Sequence, residues 1–114
     1  MTPTHVCEVI VTGPTGTLLP DLGRELVAAR LAASANTWTS PVESVYWWQG
    51  QMQTTQEARM HLLTRANLVT PLTAFIRERH PYEVPNITAI PVIAGNPEFV
   101  DWILSETRDL AATD

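Results

Sequence analysis

The segment from Ala35 to Arg65 constrains the fold more than any other part of the chain. Two strand-like segments, "NTWTSPVESVYWW" and "MQTTQEARMHLLTR", are separated only by "QGQ", the pattern of two strands joined by a short turn. Gln49-Gly50 supplies that turn, because glycine tolerates the positive φ a tight hairpin needs. Pro41 has no N–H to give to a ladder, so the first strand should carry a bulge or lie at a sheet edge there. A long, bent hairpin follows, with a tip that projects past the body of the protein. The remaining residues have to build that body.

Before the hairpin, "HVCEVIV", His5 to Val11, reads as a largely buried strand that stops at Thr12-Gly13-Pro14. Beyond "GPTGT", Leu22, Leu26, Ala29 and Ala33 recur at helical spacing, with Pro20 allowed in the first turn, and the small residues permit close packing. After the hairpin, Leu68, Leu72, Phe75, Ile76 and Arg79 share one face of a second helix. That helix has to end at His80, since the residue before a proline is pushed out of the α region. "NITAIPV" is a further strand. Asn96 is placed to cap a last helix opened by Pro97 and Glu98, and Phe99, Trp102, Ile103 and Leu110 form its expected buried stripe.

The order is therefore β-α-β-β-α-β plus a C-terminal helix. This is the split βαβ, or ferredoxin-like, arrangement of the α+β class, with two helices on one face of an antiparallel sheet. At 114 residues the chain reads as a single domain spanning 1–114, with flexible ends at 1–4 and 111–114. The open sheet face and the hairpin edges need cover, and another subunit is the economical source.

Charge and composition narrow the function classes. The net charge is −5 and all seven basic residues are arginines scattered along the chain, so there is no basic face for nucleic acid. No apolar run approaches the roughly 20 residues that span a membrane. "MTPTHVCEV" lacks a secretory pattern, so a cytoplasmic location is expected. Cys7, the single cysteine, allows neither an intrachain disulfide nor a thiolate cluster, and reads as a small buried residue. "GPTGT" lacks the lysine and spacing of a phosphate loop, and carboxylates such as Asp21 and Glu25 sit at solvent-facing helical positions. The chain is not read as an enzyme.

The densest polar chemistry lies in "RHPYEVPNITAIPV", Arg79 to Val92. His80 offers an imidazole and Glu83 a carboxylate on a loop that Pro81 and Pro85 stiffen, a pair that suits zinc, copper(II) or nickel. Two ligands are too few for a tight site, so the third has to come from water or a neighbouring subunit. The same residues have a purely structural use. His80 can cap the preceding helix, Glu83 can accept amides or pair with an arginine across the assembly, and the prolines can fix the crossover. Tyr46 and Trp48 share one sheet face while Trp47 takes the other. These aromatics suit a subunit interface or the wall of a cleft, with stacking of a planar ligand as the lesser alternative. His61, beside Met60, reads as a surface histidine opposite a core methionine.

The segments "LAASAN", "SVYWWQGQM" and "HPYEVPNITAIPVIAGNPEFVDWI" closely resemble the CutA family, the divalent-cation tolerance proteins, in order from about Val6 to Trp102. The resemblance implies a homotrimer of ferredoxin-like subunits, similar in architecture to the P-II nitrogen-signalling proteins. It also implies tolerance to copper and other divalent cations, with copper binding in some members. The expected function is then binding of Cu2+, another divalent cation or a small ligand at clefts between subunits, with no further cofactor. His80 and Glu83 are the expected metal ligands, and Trp48 and Tyr82 the expected cleft residues. The alternative is a P-II-like trimer that docks to a protein partner without binding metal. Three positions depart from the family's usual pattern: Ser34 stands where cysteine is usual, and Gln51 and Leu63 where lysines are. They remove one soft ligand for copper and two cations.

Overall fold

The computed structural model describes residues 3–110. The strands are β1 (Val6–Pro14), β2 (Ser34–Trp48), β3 (Gln51–Arg65) and β4 (Ile87–Pro91). The helices are α1 (Leu18–Ala28), α2 (Val69–Arg79) and α3 (Pro97–Glu106), with a short 3-10 turn, Ala66–Leu68, leading into α2. The strands form one antiparallel sheet in the order β2-β3-β1-β4. Each βαβ unit is therefore split by a strand of the other: β3 lies between β1 and β2, and β1 lies between β3 and β4. This is the expected ferredoxin-like α+β arrangement. β1 runs on to Pro14 rather than stopping at Val11, because its ladder with β3 continues through Gly13↔Ala58.

Alternation along the two central strands decides which face is core. Val9 and Val11 of β1, with Ala58, Met60 and Leu62 of β3, meet Leu19, Leu22 and Leu26 of α1 and Leu72 and Ile76 of α2. Each fully buried leucine or isoleucine contributes about 1.5–3 kcal/mol of apolar transfer. α1 lies close to the sheet because Gly23 faces it: a Cβ there would fall 2.9 Å from the Ala35 Cβ and 3.1 Å from the Met60 sulfur.

The two helices on this face end differently. α2 stops as expected, with His80 extended at φ −82 and ψ 132 ahead of Pro81. α1 stops earlier than its apolar spacing predicts, and Ala33 lies outside it. Arg30 adopts φ 57, and the N–H groups of Arg30 and Leu31 donate to the carbonyls of Val27 and Leu26, both at 3.0 Å. That is a Schellman ending in which arginine takes the place glycine usually holds. Arg79, expected on one helical face with Leu72, Phe75 and Ile76, is exposed, with its guanidinium 3.5 Å from the centroid of the Phe75 ring.

The hairpin turn is tighter than "QGQ". Gln51 pairs with Trp48, so Gln49 (φ 50) and Gly50 (φ 79) alone form a two-residue loop with positive φ at both positions. Both expectations for Pro41 are met: β2 is an edge strand, and it is irregular there. Trp38 opposes Arg59 and Val42 opposes Glu57, which leaves Thr39, Ser40 and Pro41 against Ala58. The surplus is even, so side chains of β2 keep their faces across the bulge. Each strand has 15 residues, about 50 Å of extended chain, and this matches the 46 Å longest dimension.

α3 lies on the other sheet face, and here the expected buried stripe is corrected. Ile103 is buried against Val6 and Ala33, with Leu63, Val92, Val100 and Leu104 around it. Phe99 and Trp102 are 43% and 40% exposed and stack on each other with centroids 5.5 Å apart, and Leu110 is exposed. The Asn96 side chain makes no cap; its backbone carbonyl accepts from Phe99 and Val100 at 3.1 and 3.2 Å. At the other end Arg65 donates to the Leu104 carbonyl and to the Thr107 hydroxyl, a cation at the negative end of the helix. Thr4, expected in a flexible end, donates to the Val92 carbonyl and accepts from the Val6 N–H. Residues 1–2 and 111–114 lie outside the described residues.

Candidate functional site

The loop from His80 to Pro85 is anchored by the His80 ring. The Tyr82 N–H donates to Nδ1 at 3.2 Å, so Nδ1 carries the lone pair, and Nε2 donates to the Thr12 carbonyl at 2.8 Å. His80 is 8% exposed. Its imidazole therefore ties the loop to β1 and does not cap α2. Gly13 makes room for it, since a Cβ there would stand 3.1 Å from Nε2.

Tyr82 packs edge-on against that ring, centroids 4.7 Å apart, and its hydroxyl donates to Glu57 Oε2 at 3.0 Å. Glu57 lies on β3 and is 6% exposed. Burial first, then the hydrogen bond and negative charge of Glu57, push the Tyr82 phenol up to about 12. Among the described residues no cation forms an ion pair with Glu57.

A cleft of about 730 Å³ opens around this pair. Its lining includes Tyr46 and Trp48 of β2, Glu57 and Arg59 of β3, and Tyr82 and Glu83 of the loop. Three of the four expected site residues, Trp48, Tyr82 and Glu83, thus come together, while His80 sits behind them. The cleft offers the Glu57 and Glu83 carboxylates as donors, whereas both His80 nitrogens already have partners. Among the described residues no group of three or more His, Cys, Asp or Glu side chains is arranged to hold a metal ion. The described residues of one chain do not by themselves form a closed metal site.

Sequence reasoning missed Glu57 and Arg59. Their signal was alternation: Glu57, Arg59 and His61 interleave with Ala58, Met60 and Leu62, which puts them on the face away from the core. His61 is on that face as expected, but in a line of charges. Arg59 Nε donates to His61 Nε2 at 3.0 Å, His61 Nδ1 pairs with Glu8, and the Trp38 ring lies 4.4 Å from the imidazole. Cys7 is buried in β1, which pushes its thiol up.

Two of the three departures from the family pattern lie away from the cleft. Ser34 and Leu63 are ladder partners, and Leu63 packs in the cluster under α3. The stretch of β3 from Glu57 to Leu63 spans about 20 Å. Gln51 pairs with Trp48, a residue of the cleft lining, beside the turn.

Among the described residues no helix is long and apolar enough to cross a membrane. The family described as "CutA1 divalent ion tolerance protein" matches residues 7–106. Protein CutA of Mus musculus is 35% identical over 109 residues, covering 96% of this chain and 61% of the mouse protein. The chain thus spans about three fifths of the length of that relative and of a rice one, of which it covers 56%. The divalent-cation tolerance protein CutA of Thermus thermophilus is 33% identical over 99 residues, covering 87% of this chain and 95% of that protein. The crystal structure of CutA1 from Oryza sativa is similar with a TM-score of 0.88 at 33% identity, covering 96% of this chain and 99% of that one. With the match running from β1 through the hairpin and the cleft to the end of α3, this chain belongs to the CutA1 divalent ion tolerance family.

Proposed function

We propose that this protein acts in divalent-cation tolerance as a cytoplasmic homotrimer that binds a cationic ligand, a metal ion or a small molecule, in clefts completed by neighbouring subunits. In this reading it catalyses no reaction. The observation that carries it is the cleft alongside the hairpin, whose lining includes Trp48, Tyr82 and Glu83 together with the buried Glu57 carboxylate. Apolar side chains left bare on the hairpin of one chain, Trp47 at 74% and Met52 at 65% exposed, provide contact surface between copies. Relatives described as chloroplastic and periplasmic share the fold, so the cytoplasmic placement is specific to this proposal.

For a metal ion, Glu83 and Glu57 are the carboxylate donors in the cleft lining. His80 orients the loop, and joins the ligands only by giving up one of its two hydrogen bonds. The remaining donors come from water or another subunit. Calorimetric titration with copper(II) and zinc tests this form. Glu83→Ala is expected to weaken binding about tenfold or more, and His80→Ala to weaken it through the loop. Binding unchanged in both variants removes this site from consideration.

A second reading is a P-II-like trimer that docks to a protein partner without binding metal. The stacked, exposed Phe99–Trp102 pair favours it. Purification of the tagged protein from its native cells with no partner co-eluting under mild conditions counts against it.

A further inference from the structure

The geometry points to a narrower ligand class for the cleft: an organic cation bearing a quaternary ammonium group, held in the space that Tyr46, Trp48 and Tyr82 line together with the Glu57 carboxylate. This rests on the reading of the cleft as a ligand site and names the chemistry that its walls select.

Charge is the first part of the argument. Glu57 is 6% exposed, its hydrogen-bond partner is the Tyr82 hydroxyl, and no arginine among the described residues pairs with it. A carboxylate held out of water without a cation is unfavourable, and a ligand that brings positive charge relieves that penalty. Arg59 is the cationic side chain of the lining, but its Nε–H is donated to His61, whose other nitrogen pairs with Glu8. Glu57 and Glu83 together outnumber it.

The walls are the second part. Three aromatic side chains, Tyr46, Trp48 and Tyr82, line one cleft, and the faces of such rings attract cations whose charge is spread over methyl groups. The Tyr82 phenol, pushed up to about 12, stays protonated and keeps its hydroxyl on Glu57. A bare metal ion gains little from rings. It would have to exchange its water for two carboxylates, in a chain whose described residues arrange no third donor of the His, Cys, Asp or Glu kind. The volume, about 730 Å³, is that of an ordinary small-molecule pocket, roughly 300–1,000 Å³.

The test titrates the full, assembled protein with choline and with its uncharged carbon isostere, in which a tert-butyl group replaces the trimethylammonium. Copper(II) and zinc are titrated in parallel. Saturable choline binding is expected, read by calorimetry and tryptophan fluorescence, with the isostere weaker by at least about tenfold. Trp48→Leu and Glu57→Gln should each abolish it. Trp48 lies on the hairpin outside the buried core, so its loss does not read as unfolding, and circular dichroism checks both variants. Equal binding of choline and the isostere overturns the inference, because only apolar contact is then at work. Metal binding that is lost in Glu57→Gln and Glu83→Ala, without choline binding, overturns it while leaving the cleft as a ligand site. Absence of both choline and metal binding overturns the inference and the cleft reading together. Dissociation of the oligomer by Glu57→Gln, with no choline binding by the parent, also overturns it, since a neighbour's side chain then fills the cleft.

Discussion

Tyr82 connects the proline-stiffened loop to the sheet through one hydroxyl, and that bond makes a prediction about alkaline pH. Its phenol is pushed up to about 12, above the roughly 10 of an unfolded chain. Between those values the folded protein holds a proton that the unfolded chain has lost, so this contribution to stability is complete below about pH 10 and disappears as pH rises through about 12. Denaturant unfolding should show a loss of stability across that window that is smaller in Tyr82→Phe, and ultraviolet titration of the variant should lack the late-ionising phenolate. Equal losses in the two proteins would refute the assignment. The site was partly legible at this scale. The loop announced its polar residues through its prolines, but a sequence does not tell an imidazole which carbonyl it will meet. Thr12 lies 68 positions from His80, and the missing Cβ of Gly13 that admits the ring carries no signal of its own. Glu57 was hidden for a related reason. The register of β1 against β3, Pro14 opposite Glu57, brings that carboxylate to the loop that His80 ties to Thr12.

α1 sits on β2 and β3 at a distance set by Gly23, and the distance can be tested. Alanine there favours the helix by about 1 kcal/mol over glycine. Its Cβ would fall 2.9 Å from the Ala35 Cβ and 3.1 Å from the Met60 sulfur. The thioether can turn aside, but the Ala35 Cβ moves only with β2, and overpacking of this kind costs about 1–3 kcal/mol. Gly23→Ala is therefore expected to lower stability by about 1 kcal/mol and to reduce Tm in a thermal scan; a raised Tm would show that α1 can lift off the sheet. Where elements were punctuated by residues with one conformational use, the chain was readable. Gly50 gave the turn, Pro41 the bulge and Pro81 the end of α2. α1 ran too long in prospect because Arg30, not glycine, takes the left-handed position at its end. The buried face of α3 was misassigned because Phe99 and Trp102 recur at helical spacing as well as Val100, Ile103 and Leu104 do. Which set meets the sheet depends on how Arg65 and Val6 position the helix, through the Arg65 bonds to Leu104 and Thr107 and the Val6–Ile103 cluster.

The molecule as a whole is longer than a chain of its size should be. Its radius of gyration is 15.1 Å, against about 13 Å for a compact chain of 114 residues, and the excess is the hairpin. A two-stranded ribbon standing alone is marginal in water. This one also carries Trp47 and Met52 as ladder partners, 74% and 65% exposed. Burying one tryptophan-sized surface against another copy is worth about 4–5 kcal/mol per copy, enough to make the ribbon depend on assembly. On the proposed trimer, the parent protein should run in light scattering at about three times the 12.6 kDa chain mass, and Trp47→Glu should shift it toward the monomer. Hydrogen exchange supplies a second readout, because backbone amides flanking the Gln49-Gly50 turn should be protected in the assembled parent and exchange quickly in the variant. A parent that is monomeric, or a Trp47→Glu protein with unchanged mass and protection, contradicts this account. Tyr46 and Trp48 occupy the opposite face of the same ribbon, so a hairpin loosened by dissociation should also lose the cleft wall. Ligand binding and assembly are then expected to fail together in Trp47→Glu, although Trp47 does not line the cleft.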